Sequence, residues 1–178
     1  MYKSMANYDP VQNLKDDIPE HLRHWPGLFV RSGDQIVEAP PEDQALAQTY
    51  PRWSDKGPLI AGRRITCLTP KTTYGLNEGI HVIHVYEVVV PGHLVYVMGP
   101  KPVYGEYLDG RLVTLEPPQG EDPFVPANYD GRALPSPAVD YNYDVTIYSF
   151  SAPGRHQIDW RIGGLRSNTL EFEVVSSE

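Results

Sequence analysis

A single cysteine, Cys67, stands in a chain of 178 residues, so no intramolecular disulfide can form and the fold must hold without one in any compartment. Positive charge is also scarce: 15 Lys and Arg against 23 Asp and Glu leave a formal charge of -8. That balance argues against nucleic acid or an anionic membrane as a partner, because both are bound by clustered cations. No apolar run approaches the ~18 residues of a membrane helix, and the opening residues MYKSMANYDP carry no signal-peptide apolar region. The chain reads as soluble and without membrane insertion: cytoplasmic as given, or extracytoplasmic if an export signal was cut away and Met1 supplied in its place. Nucleophile elbow, phosphate loop, zinc signature and dinucleotide fingerprint are all missing, so no motif announces an activity and neither a cofactor nor a metal is expected.

What the chain does have is alternation. Arg155 to Ile162 (RHQIDWRI) and Thr169 to Val175 (TLEFEVV) alternate apolar and polar residues around Gly163-Gly164. Successive side chains of a strand point to opposite sides of a sheet, so this is the pattern of strands with one buried face, and it turns Trp160 and Phe172 inward. Ile80 to Val90 (IHVIHVYEVVV) sets Ile80, Val82, Tyr86 and Val88 on one face and His81, Ile83, Val85 and Glu87 on the other. With both faces largely apolar, it predicts a central strand. Asp109-Gly110 between Val103–Leu108 and Arg111–Leu115 predicts a hairpin, since a type I′ turn needs positive φ at both central residues. Ser32-Gly33-Asp34 predicts a second, smaller one. Pro40 to Gln48 is the best helix candidate, with prolines at its start and Glu42 and Asp43 in its first turn.

At this length one domain is expected, with roughly 70% of the unfolded surface buried on folding. Residues 1–26 form a polar N-terminal arm and residues 27–178 a single β domain. Within it, Glu116 to Asp140 carries six prolines and is expected to be a long Pro-rich loop, because proline removes ladder donors and restricts the residue before it. Loops of that length in compact domains are usually functional or disordered.

The closing residues Pro153-Gly154-Arg155-His156-Gln157-Ile158, Gly163 to Asn168, and Leu170, Phe172 and Val174 resemble the last strands of bacterial immunoglobulin-like domains. His156 stands at the place of the corner tyrosine and Ile158 at that of the second core cysteine. The resemblance implies an all-β, immunoglobulin-like antiparallel β-sandwich with one short helix, and it carries no activity.

Chemically, His84 lies among apolar neighbours on the central strand, as a base, a metal ligand or, more plainly, a hydrogen-bonded core histidine. His81 and Glu87 stand too far apart along their strand to share an ion, and His21 and His24 lack a third ligand. Asp140, Asn142 and Asp144 begin the way a calcium loop does, but Val145 and Ser151 occupy the positions that need glycine and glutamate. Cys67, beside Ile65 in a strand pattern, reads as a small buried thiol. Tyr104, Tyr107, Tyr129, Tyr141 and Tyr143 gather around the hairpin and the Pro-rich segment as candidate ligand contacts.

Three functions fit these residues. The first is a non-catalytic module binding a protein partner or a small or carbohydrate ligand through the aromatic, Pro-rich loop. The second is a small enzyme, a cyclase, isomerase or hydrolase, using His84, Asp140 or Asp144 as acid or base in an apolar pocket. The third is a structural subunit that self-assembles, and homo-oligomerisation stays open throughout.

Overall fold

The computed structural model describes residues 18–120, 122–125 and 129–176. In chain order its elements are β1 (Phe29–Ser32), β2 (Gln35–Glu38), α1 (Pro41–Ala47), β3 (Arg63–Leu68), β4 (Thr73–Gly75), β5 (Ile80–Val88), β6 (Leu94–Tyr96) and β7 (Glu106–Leu108). There follow β8 (Arg111–Leu112), β9 (Ala133–Pro135), β10 (Ala138–Asp140), β11 (Thr146–Tyr148), β12 (Gly154–Ile162), β13 (Leu165–Arg166) and β14 (Leu170–Val175). Two 3-10 turns, Glu20–Leu22 and Tyr50–Arg52, flank the first hairpin and helix. The fold is therefore mostly β with several antiparallel sheets and one short helix.

Strand β5 is central, as its two apolar faces require: it pairs with β3 over Ile83 to Val88, with β10 over Tyr86 to Val88 and with β11 over Ile80 to Val82. A second sheet runs in the order β4-β14-β12-β7-β8, with β13 on β12 and the β4–β14 pair parallel. The two sheets share one core. Ile80, Val82, Tyr86 and Val88 of β5 meet Ile158, Trp160 and Ile162 of β12 and Leu170, Phe172 and Val174 of β14. Trp160 is fully buried and its indole N–H donates to the Tyr104 carbonyl at 2.8 Å.

The other face of β5 builds a second core. Ile83 and Val85 join Leu68, Val139 and Tyr141 beneath a cover made by Leu46 and Ala47 of α1, Tyr50, Leu28, Ile18 and Leu22. Helix α1 begins with Pro41 at its first position and Glu42 and Asp43 in its first turn, where a missing N–H and negative charge are both tolerated. The Gln44 side chain holds α1 to the residue before β1, accepting from the Leu28 N–H at 3.1 Å and donating to the Leu28 carbonyl at 2.7 Å. Residues 1–17 of the expected arm lie outside the described residues. Ile18 and Leu22, at its far end, are buried members of this core.

The hairpin at Asp109-Gly110 joins β7 to β8 with φ of 53° and 80° at the two turn residues, as the turn type demands. The Pro-rich segment is not a loop throughout. Pro135 ends β9, which pairs with β6, and Pro137 precedes β10, whose Ala138, Val139 and Asp140 are all buried against β5. Proline is accommodated there because it sits at a strand end or outside the ladder.

Candidate functional site

One charged residue interrupts the apolar odd-numbered face of β5. Glu87 is 1 % exposed, and an isolated buried carboxylate is expensive unless donors surround it. Three segments supply them. The register of β3 on β5 sets Arg64 opposite Glu87, with Arg64 Nε 3.2 Å from Oε1. The 3-10 turn after α1 brings the fully buried Tyr50, whose hydroxyl donates to Oε1 at 2.5 Å. The turn at Glu20–Leu22, anchored by buried Leu22, brings His21, whose Nε2 lies 2.6 Å from Oε2. Burial alone would push the Glu87 carboxyl up, but the hydrogen bonds from His21 and Tyr50 and the charge of Arg64 hold it below the usual range. Burial and the Glu87 charge in turn push the Tyr50 hydroxyl well above its ordinary value, so it stays a donor.

Glu87 forms the floor of an open cleft of about 700 Å³, walled by His21, Arg64, Lys56 and Val89 and rimmed by Pro51 and Pro137. Lys56 is held there by its neighbour. A Cβ on Gly57 would sit 1.9 Å from the Ile65 carbonyl oxygen, so only glycine lets this segment lie flush on β3. There the Gly57 N–H donates to Thr66 Oγ1 at 3.0 Å. Lys56 Nζ donates to the Pro51 carbonyl at 3.1 Å and lies 4.7 Å from the Tyr50 ring centroid. Burial, with the nearby Arg64 charge, lowers its pKa from the ordinary lysine value against the pull of Glu87. Chemically the cleft offers ammonium and guanidinium groups for binding, and an imidazole fixed by a carboxylate for moving a proton.

His21 and Glu87, weighed from the sequence only as metal ligands, lie at this cleft, whereas the acid-base and ligand-contact candidates chosen from the sequence do not. His84, on the opposite face of β5, is fully buried with Nε2 2.6 Å from Glu106 Oε2, and the Tyr148 hydroxyl donates to Glu106 Oε1 at 2.5 Å. Cys67 lies beside them, and one donor atom from each of Cys67, His84 and Glu106 falls within 4.8 Å of the others. Two ligands on one tetrahedral ion stand about 3.3 Å apart, so 2.6 Å is the distance of a hydrogen bond rather than of shared coordination. Burial and then the Glu106 charge push the Cys67 thiol well up, away from the thiolate a metal requires.

Asp140 is fully buried and forms an ion pair with Lys101 at 2.9 Å. Its Oδ1 accepts from the Asn142 N–H, while Asn142 Oδ1 accepts from the Phe29 N–H. These oxygens are spent on Lys101 and on backbone N–H groups inside the fold. Asp144 is half-buried, its carboxyl raised by burial against the charges of Arg31 and His84.

The tyrosines are dispersed. Tyr141 lies in the second core and Tyr143 in the first, both fully buried, so neither presents a ring at the surface. Tyr104, Tyr107 and Tyr129 are half-buried. Tyr107 carries the Arg161 guanidinium 4.1 Å above its ring, and the Tyr129 hydroxyl donates to the Arg132 carbonyl. Sequence reasoning passed over Glu87, Lys56 and Arg64 as a set. The available signal was the one carboxylate in a largely apolar run, which demands partners from elsewhere. No family model, curated protein or solved structure matches the chain.

Proposed function

We propose that the protein is a non-catalytic β module that binds a small ligand in the cleft above Glu87. The observation that carries this reading is the convergence of His21, Tyr50 and Arg64 on one buried carboxylate at the floor of an open cleft. Convergent polar groups in a concavity are what fix the orientation of a small molecule. The rest of the molecule supports a binding scaffold: His84 and Asp140 are spent on partners inside the fold. A small-molecule library screened by thermal shift against the parent and against Val89→Trp, which fills the cleft, tests it. Ligands that raise the melting temperature of the parent alone support the site, and ligands that stabilise both proteins equally place binding elsewhere.

A second reading, a proton-transfer enzyme at the same cleft, has one observation in its favour: the 2.6 Å contact that fixes the His21 imidazole on a buried carboxylate. Turnover of a bound ligand that is lost in His21→Gln while binding persists would establish it over the first.

The scaffold itself we read as immunoglobulin-like. Support comes from strand order: β14-β12-β7 follows the G-F-C order of such a sandwich, and β3-β5-β11 follows A-B-E. Ring-to-ring nuclear Overhauser contacts between His84 and Trp160, whose centroids are 5.0 Å apart across the two sheets, check this arrangement, and their absence would break it.

A further inference from the structure

We infer that the ligand of the Glu87 cleft carries a compact anionic group, a carboxylate or a phosphate, bound between Lys56 and Arg64; this rests on the cleft being a ligand site. By formal charge the lining is balanced, Lys56 and Arg64 against Glu87 on its floor and Glu20 at its exposed margin, with His21 beside them. What leads to an anion is how those charges are already partnered.

Glu87 is already committed. Tyr50 donates to Oε1 and His21 is bonded at Oε2, so both oxygens hold a short hydrogen bond. Arg64 Nε lies 3.2 Å from Oε1, close enough for charge attraction, yet it makes no hydrogen bond with any acceptor among the described residues. That N–H is itself shielded from solvent beside Glu87, so it is the partly exposed end of the Arg64 guanidinium, with its further N–H groups, that a ligand oxygen in the cleft meets.

Lys56 is in a similar position. Its ammonium donates once, to the Pro51 carbonyl, leaving two of its three N–H groups, and no carboxylate among the described residues forms an ion pair with it. It is partly withdrawn from water, and that burial already disfavours its charge. An anionic oxygen between the two cations supplies what both lack, through charge-assisted hydrogen bonds in a partly desolvated setting. A neutral ligand would leave both cations as they are, and a cation would meet two like charges.

The test uses the full chain, with inorganic phosphate, acetate and glycerol as probes, titrated at constant ionic strength in chloride and followed by amide ¹H–¹⁵N spectra. Saturable shifts confined to the amides of Lys56, Gly57, Arg64 and Val89 are expected with phosphate, acetate or both, at about millimolar strength. Which of the two binds more tightly separates a phosphate from a carboxylate site. Lys56→Gln should weaken binding about tenfold or more, while Lys71→Gln, in an exposed ion pair with Glu78, should leave it unchanged. Arg64→Gln serves as the second variant, with its fold checked from the same spectra.

Anion shifts that persist undiminished in folded Lys56→Gln and Arg64→Gln would overturn the assignment. So would glycerol or library ligands occupying the cleft while both anions leave its amides unmoved, a result that keeps the cleft as a ligand site. Library binding that ignores Val89→Trp defeats the cleft reading itself.

Discussion

His84 on β5 and Glu106 on β7 meet across the two facing sheets at 2.6 Å, with both side chains at 0 % exposure. The contact ties the sheets together within the first core, and the Tyr148 hydroxyl also donates to the carboxylate. Removing one member of such a pair leaves the other buried without its partner. His84→Leu should therefore lose about 3 to 5 kcal/mol of stability, measured by denaturant unfolding. The double variant His84→Leu/Glu106→Leu should recover part of that loss, because neither polar group then remains stranded. A double variant less stable than His84→Leu would show that the pair itself is not what holds this region.

The Glu87 carboxyl, held below its usual range despite burial, makes part of the stability depend on pH. Its folded pKa is lower than its unfolded one, so the unfolded chain takes up the proton first as pH falls. The contribution is complete above the ordinary value of 4.5 and is lost as pH drops through the folded value. The stability gap between the parent and Glu87→Gln should be widest near neutrality and close below about pH 4.5. Chemical denaturation of both proteins at several pH values between 3 and 7, on a scale of about four units, measures this. A gap constant over that range would mean that folding leaves the Glu87 carboxyl at its unfolded pKa.

Trp160 touches three parts of the first core: it is edge-on to His84 at 5.0 Å and to Tyr143 at 5.1 Å, and it is hydrogen-bonded to the Tyr104 carbonyl. Trp160→Ala should cost about 3 to 5 kcal/mol, the usual result of emptying a large buried aromatic site. A melting temperature within about two degrees of the parent would contradict its placement.

Phe124 pins the Pro-rich segment. It is 4 % exposed and stacks on Tyr86 with ring centroids 4.0 Å apart. Phe124→Ala should lose about 3 kcal/mol. Replacing Pro117 to Gly120, a largely exposed stretch, by Gly-Ser should change stability by less than about 0.5 kcal/mol. Thermal melts of the two variants side by side decide whether the segment is anchored at that ring or along its length.

Much of the scaffold is legible in the alternation and turns of the chain. The alternation of β12 and β14 puts Ile158, Trp160, Leu170 and Phe172 in one core, and the two faces of β5 divide between two cores along the lines of its sequence. Asp109-Gly110 turns where a type I′ hairpin must. Short-range rules suffice there because strand alternation and turn φ are properties of neighbouring residues. The same rules misplace β9 and β10. Proline density marks where a ladder is weak, but whether Ala138 to Asp140 pair depends on the edge of β5 that β3 leaves open beside them.

Local sequence thus settles which residues form the long strands, which face of each is apolar, where the tight turns fall, and that no intramolecular disulfide contributes. What those faces meet is settled by packing. Glu87 acquires its partners from His21, 66 residues away, and from Tyr50, 37 residues away, and the burial that took Tyr141 and Tyr143 from the surface came from two separate cores. No periodicity encodes such contacts. They arise when segments distant in the chain are packed against the same strand, where one buried charge and the donors around it must be brought together or not buried at all.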